Sequence, residues 1–122
     1  MLFHIQSSNG LAIYDQVVRQ IKFAVANRAV QAGELVPSVR ELAKQLAINP
    51  NTVSRAYRQL QDEGVLESVR GMGMQVTARA LDQCRQARLE LIRARLQDVL
   101  EEARQSGLSG DDIRRLVDES LA

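Results

Sequence analysis

The stretch from residue 33 to residue 77 reads GELVPSVRELAKQLAINPNTVSRAYRQLQDEGVLESVRGMGMQVT, and its local signals decide the fold. Ser38 and Glu41 make a capping box, in which each side-chain oxygen accepts a hydrogen bond from an otherwise unpaired backbone N–H. Asn49 suits the N-cap of a second helix, and Pro50 suits its first position, where the missing N–H costs nothing. About three residues, 47 to 49, separate the two helices. This spacing predicts a helix-turn-helix, although the usual turn glycine is absent. The side of the second helix expected to face the core carries Val53, Ala56, Tyr57 and Leu60.

The end of the same stretch predicts a β-hairpin. Gly64 is placed to end the preceding helix in a left-handed conformation. Two short strands are expected at Leu66–Val69 and Met74–Thr77, on either side of Gly71-Met72-Gly73. Glycines at a hairpin tip supply backbone angles that other residues resist. Together these signals predict a winged helix-turn-helix, which places one helix in the major groove of DNA.

Helical periodicity extends on both sides of this stretch. The first ten residues are expected to form an extended arm, followed by a helix over 11–29. Its apolar face, with residues three or four apart, begins with Tyr14 and Val17. A long helix is expected over 78–106, ended by Gly107, and Ser109 with Asp112 caps a last short helix. The predicted fold is mainly α with a small β-hairpin wing. Residues 1–77 would form the DNA-binding domain, and residues 78–122 a short helical dimerisation region.

Composition narrows the classes of function. The 122 residues are 45% hydrophobic but only 3% aromatic, which is typical of an aliphatic helical core. His4 is the only histidine and Cys84 the only cysteine, so a histidine-rich metal site, a catalytic triad and an internal disulfide are excluded. We expect no cofactor, no metal, no enzymatic activity and a buried structural thiol at Cys84. Neither a signal peptide nor an apolar run of ~18 residues is present, which predicts a cytoplasmic protein without a membrane span.

The distribution of charge along the chain, rather than the net charge, supports nucleic-acid binding. The net charge is +1, which is weak evidence for DNA binding. However, residues 49–61 contain no acid, and the predicted recognition helix over 50–63 carries polar and basic side chains near its start. Asparagine can pair bidentately with adenine, and arginine with guanine. An isolated arginine is more often a solvated surface residue, so the ordered combination carries the prediction. The candidates are Asn49, Asn51, Thr52, Arg55 and Arg58, with Ser38 at the start of the preceding helix.

At these residues the chain resembles the GntR family of bacterial transcription regulators. The family pattern runs roughly G-x-x-L-P-S-x-R-x-L-A, then N-x-N-T-V-x-x-A-Y, E-G and G-x-G-x-x-V. The match covers about 45 residues, and IYDQVVRQIKFAV upstream resembles the family's first helix. The chain departs from the family pattern at Ala12, Asn27, Val36, Met72 and Met74. The two methionines make the wing less basic than in many members. The matching positions are Gly33, Pro37, Ser38, Arg40, Leu42, Ala43, Asn49, Pro50, Asn51, Thr52, Val53, Ala56, Tyr57, Glu63, Gly64, Gly71, Gly73 and Val76.

The resemblance implies roles for particular residues. Arg40, Asn51, Thr52 and Arg55 would contact phosphates or bases. The tip of the wing, over 66–77, would reach the minor groove through Arg70, Gly71 and Gly73. Only about 45 residues follow the wing, which is similar to the YtrA subfamily, whose short two-helix tail serves dimerisation.

The tail itself carries an aliphatic stripe. A second subunit could bury this stripe, and a two-fold dimer matches a palindromic operator. The alternative is that the long helix folds back onto the first and last helices. An unknown small-molecule effector could bind at the dimer cleft, although no residue identifies one. The expected dimerisation residues are Leu89, Ile92, Leu96, Val99, Leu100, Ala103, Ile113, Leu116 and Val117.

These observations predict a homodimeric, sequence-specific transcriptional regulator, and more specifically a repressor. One alternative is a winged-helix module that serves protein assembly; such a module need not keep Asn51, Thr52, Arg55 and Arg58 polar and exposed. Another is a fragment of a regulator fused to an aminotransferase, against which the capped last helix and the absence of a long linker argue.

Overall fold

The computed structural model describes residues 12–122, so the predicted arm and His4 lie outside the described residues. The elements confirm a mainly helical fold with one antiparallel two-stranded hairpin. Packing separates a first unit that ends at Arg88 from a second unit over Leu89–Ala122. The proposed functional division after Thr77 is a different boundary and stays a prediction. In chain order the elements are α1 Ile13–Ala26, α2 Val39–Leu46, α3 Pro50–Asp62, β1 Leu66–Val69, β2 Gly73–Val76, α4 Ala80–Gln105 and α5 Gly110–Leu121.

Several predicted boundaries are wrong by one to three residues. Helix α1 ends at Ala26 rather than residue 29, because Arg28 adopts φ +64° and leaves the helix. Helix α3 ends at Asp62, with residue 63 as its C-cap. Strand β2 is Gly73–Val76, one residue earlier than expected. Helix α4 covers 80–105 rather than 78–106.

Thr77 is the reason that β2 stops early. Its backbone N–H donates to the Val65 carbonyl at 3.0 Å, and its buried hydroxyl donates to the Gly64 carbonyl at 2.6 Å. These two bonds draw Thr77 towards the end of α3 and away from the hairpin register. Gly64 adopts φ +81°, the left-handed conformation predicted for it.

The core of the first unit forms where α1 and α2 pack against α3. Burying each large aliphatic side chain there contributes about 1.5–3 kcal/mol. The prediction that Cys84 is buried is confirmed, since it is 1% exposed, and burial raises the pKa of its thiol to about 11. The core residues from α3 are the predicted Val53, Ala56, Tyr57 and Leu60.

Both predicted helix caps are present. Ser38 Oγ accepts from the Glu41 N–H at 3.1 Å, while Glu41 Oε1 accepts from the Ser38 N–H at 3.4 Å. Asn49 Oδ1 accepts from the Asn51 N–H at 2.8 Å. The turn between α2 and α3 comprises three residues, and Ala47 takes the left-handed conformation, with φ 55° and ψ 46°, that a glycine usually supplies there.

The hairpin is tied to the segment that leads into α2. Within the hairpin, Leu66 lies opposite Val76. The Gly33 N–H donates to the Val76 carbonyl at 2.8 Å, and the Val36 N–H donates to the Met74 carbonyl at 2.9 Å. Residues 33–36 therefore run along β2 as a short third strand-like segment, which the sequence analysis did not predict.

The second unit keeps most of its apolar stripe exposed. Ser109 and Asp112 form the predicted capping box of α5, with both bonds at 3.1 Å. Leu100, Ala103 and Ile113 are half-buried. A single chain therefore leaves a large apolar surface in contact with water. The remaining stripe residues, which are between 40% and 59% exposed, are Leu89, Ile92, Leu96, Val99, Leu116 and Val117.

Replacing Ala47 with glycine should stabilise the protein. In the left-handed region a non-glycine residue lowers stability by about 1–2 kcal/mol. Glycine removes this cost, but its greater freedom in the unfolded chain offsets about 0.4–1 kcal/mol of the gain. We expect a net gain of about 0.5–1 kcal/mol in the free energy of unfolding, measured by urea unfolding followed by circular dichroism. Ala29→Gly is the matched control, because Ala29 is an exposed loop residue without a positive φ. That change should destabilise the protein; equal effects at both positions would contradict the account.

Candidate nucleic-acid interface

Helix α3 presents a polar face to solvent. Its core side is fixed by Val53, Ala56, Tyr57 and Leu60. Asn51, Arg55 and Arg58 are three or four residues apart, so they share the opposite face, and all three are exposed. Thr52 lies at the edge of this face and is half-buried. The structure thus brings these predicted contact residues onto one helix surface.

The electrostatics of α3 favour an anion at its N-terminus. The first turn contains no acidic residue, and the first acid of the helix is Asp62 at its far end. The helix macrodipole is equivalent to about half a positive charge at the N-terminus. An anion such as a phosphate oxygen is therefore favoured at this helix end.

The start of α2 supplies a second group of candidates. Ser38 and Arg40 are both exposed, and Ser38 Oγ already serves the capping box. The backbone N–H groups of Val39 and Arg40 point out of this helix end, as at any helix N-terminus. In a helix-turn-helix the first helix crosses the DNA backbone, so these groups suit a phosphate contact.

A partly buried hydrogen bond links α3 to the segment just before α2. The Tyr57 hydroxyl donates to the Pro37 carbonyl at 2.6 Å. Burial, with a smaller contribution from the charge of Glu41, holds the pKa of Tyr57 well above its ordinary value. The hydroxyl therefore stays protonated and remains a donor. Helical periodicity predicts only a core role for Tyr57, and this bond, which spans 20 residues, is evident only in the structure.

The tip of the hairpin is exposed and built for close approach. Arg70, Gly71 and Gly73 are all exposed, and the two glycines adopt φ +78° and +115°. Between them, the Met72 side chain is 65% exposed. An apolar side chain at the tip can contact a minor groove through its shape, while Arg70 supplies the charge.

Asn49 and Asn51 differ in what their side chains can still do. Bidentate pairing with adenine requires both the oxygen and the nitrogen of the amide. The Asn49 oxygen is engaged in capping α3, whereas the Asn51 side chain makes no hydrogen bond within the described part of the chain. The Asn51 amide therefore keeps both of its groups available, whereas the Asn49 oxygen holds the helix start.

Arg55 has a partner that the sequence analysis did not foresee. Its Cζ lies 3.8 Å from the centroid of the Tyr14 ring, a cation–π contact between α3 and the first turn of α1. Such contacts contribute about 0.5–1 kcal/mol at exposed sites. Helical periodicity had placed Tyr14 on the apolar face of α1, and it gives no sign of a partner 41 residues away.

Among residues 12–122, no group of three or more His, Cys, Asp or Glu side chains could hold a metal ion. None of the helices in this range is long and apolar enough to cross a membrane.

Comparison with known proteins agrees with this geometry. The pattern of the family described as bacterial regulatory proteins, gntR family, matches residues 13–76. The HTH-type transcriptional repressor YtrA of Bacillus subtilis is 30% identical over 121 residues, covering 99% of this chain and 93% of YtrA. A transcriptional regulator from Oenococcus oeni has a solved structure with a TM-score of 0.81 and 31% identity, covering 99% of this chain and 100% of that one.

A structure with DNA is also similar. The DNA-binding domain of AraR in complex with operator ORE1 matches with a TM-score of 0.54 and 26% identity, over 63% of this chain and 94% of that one. The family match covers both helices of the helix-turn-helix and the hairpin, so it includes every candidate DNA-contact residue. This chain therefore belongs to the gntR family of bacterial regulatory proteins, which are DNA-binding transcription regulators, and it is similar to YtrA over almost its whole length.

Proposed function

We propose that this protein is a transcriptional repressor that binds a palindromic operator as a homodimer. Helix α3 enters the major groove, and the hairpin tip meets the adjacent minor groove. The observation that carries the proposal is the exposed face of α3, where Asn51, Arg55 and Arg58 stand together without an acidic residue. The repressor sense rests on the similarity to YtrA.

The charge balance favours recognition by few contacts. Non-specific affinity for DNA comes mainly from neutralised phosphates and released counterions. A net charge of +1 provides little of this general attraction. Sequence-specific contacts from α3 must therefore supply a large share of the binding energy, and a single winged-helix unit would bind weakly.

The second unit offers the means to pair two such units. Leu89, Ile92, Leu96 and Val99 alternate at spacings of three and four, a heptad-like pattern suited to helix-on-helix packing. Burying this surface against a second copy contributes roughly 25 cal/mol per Å² of apolar area. Two-fold pairing would double the DNA contacts and match a symmetric site.

Selection of bound sequences from a random double-stranded DNA pool tests the proposed function directly. We expect enrichment of an inverted repeat whose half-sites lie about 10 base pairs apart, centre to centre, or a multiple of that distance. Enrichment of an asymmetric site would contradict the palindromic operator. If no sequence is enriched, the alternative of a protein-interaction module is favoured.

The two asparagines at the start of α3 should separate stability from recognition. Asn51→Ala should change the free energy of unfolding by less than about 0.5 kcal/mol, but weaken binding to the selected operator by about 1–3 kcal/mol. Asn49→Ala should lower the free energy of unfolding by about 1 kcal/mol, because the cap is lost. Urea unfolding and fluorescence anisotropy with labelled operator measure the two quantities. If Asn49→Ala mainly weakened DNA binding and Asn51→Ala mainly lowered the free energy of unfolding, the distinction would be refuted.

Charge reversal in the stripe should produce monomers. Leu96→Glu places a carboxylate at the centre of the proposed interface, where burying an unpaired charge is costly. Ala94→Glu is the matched control, because Ala94 is exposed on a different face of the same helix. Light scattering should give a monomer mass for the first variant and a dimer mass for the second. A dimeric Leu96→Glu protein would refute the interface.

A further inference from the structure

We propose that Tyr14 is a positioning residue for base recognition: its ring holds the Arg55 guanidinium ready to read a guanine in the major groove. The inference rests on the proposed function, since it concerns how α3 meets DNA. It adds a residue of α1, outside the helix-turn-helix, to the determinants of sequence specificity.

The Tyr14 ring lies close to the Arg55 guanidinium, and packing holds the ring in place. The guanidinium carbon lies 3.8 Å from the ring centroid, well inside the ~6 Å limit for a cation–π interaction. Tyr14 is half-buried and packs against the core cluster, whereas Arg55 is exposed. Because α1 packs against α3, the core fixes the position of the ring, and the ring restrains the arginine.

Stacking and base reading use different parts of the guanidinium. A stacked arginine presents the flat face of its guanidinium to the ring, while its N–H donors point outward in the plane. Bidentate pairing with O6 and N7 of guanine uses only those in-plane donors. One arginine can therefore stack on Tyr14 and bind a guanine at the same time.

Contact with a ring restrains the Arg55 side chain without neutralising its positive charge. Arg55 takes part in none of the ion pairs seen among residues 12–122, which include Lys22–Glu63, Arg104–Glu101 and Arg114–Asp111. A carboxylate would occupy the same donors that guanine needs and would repel phosphate. An aromatic ring orders the long side chain before binding, which lowers the entropy lost when DNA binds.

A double-mutant cycle tests the coupling. Tyr14→Leu should weaken binding to the selected operator about three- to fivefold, with less than a twofold effect on random DNA. Tyr14→Phe keeps the ring and should stay within about twofold of the unchanged protein. In an Arg55→Ala background, Tyr14→Leu should have no further effect. Equal losses from Tyr14→Leu with and without Arg55 would overturn the proposal, because they would indicate general damage to the fold.

Base specificity provides the second readout. Binding is measured to operators in which each base pair is replaced in turn. Tyr14→Leu and Arg55→Ala should relax discrimination at the same symmetric pair of G·C positions and leave the others unchanged. If both variants weaken all sequences equally, Arg55 contacts phosphate and the proposal fails, although operator binding by the protein stands.

The stack can also be observed without DNA. The side-chain protons of Arg55 should show an upfield ring-current shift by NMR in the unchanged protein and in Tyr14→Phe, and should lose it in Tyr14→Leu. Absence of this shift from the unchanged protein would overturn the proposal. A failure of sequence selection would instead remove the proposed function, so the two failures are distinguishable.

Discussion

The burial of one side of α3 is the constraint on which the rest of the first unit depends. Val53, Ala56, Tyr57 and Leu60 turn that side into the core, and both α1 and α2 pack against it. A helix has a fixed period, so fixing one face also fixes the opposite one. The outward direction of the polar side chains is thus a consequence of packing and needs no separate device. Hydrophobic burial therefore sets the orientation of the surface proposed to read DNA.

Hydrogen bonds to backbone groups connect the remaining parts of the proposed interface. The segment over residues 33–36 pairs with β2 on one side of the hairpin and leads directly into the capped start of α2. The Tyr57 hydroxyl then joins α3 to the carbonyl that precedes the same cap. The hairpin, α2 and α3 consequently share one short connecting segment. A change in that segment would shift all three contact elements together.

Weak overall charge gives side-chain order a larger role. A strongly basic protein gains affinity from many phosphates, and each contact can be loosely held. With a net charge of +1, the proposed DNA binding would depend on fewer contacts, for which restraint before binding matters more. The cap at Asn49 holds the backbone at the start of α3, and the Tyr14–Arg55 contact is proposed to order a side chain of the same helix.

The sequence by itself determined the features that depend on neighbours within about four residues. Both capping boxes, the Asn49–Pro50 helix start and the left-handed Gly64 were predicted, because a cap or a turn involves only nearby backbone groups. The buried side of α3 was also predicted, since helical period is a local property. The wrong end of β2 traces to Thr77, whose hydroxyl bonds the Gly64 carbonyl outside the hairpin. The wrong end of α1 traces to Arg28, whose left-handed conformation is not marked by a glycine.

Only the tertiary structure decided the contacts between distant segments. The third strand-like segment, the bond from Tyr57 to Pro37 and the stacking of Tyr14 on Arg55 join residues that are 20 or more positions apart. A single sequence carries no periodicity that relates such positions, because their approach depends on how whole helices pack. For the same reason, the sequence alone does not distinguish the roles of Asn49 and Asn51. The residue types suit either role at both positions, and only the observed hydrogen bond shows which amide is occupied.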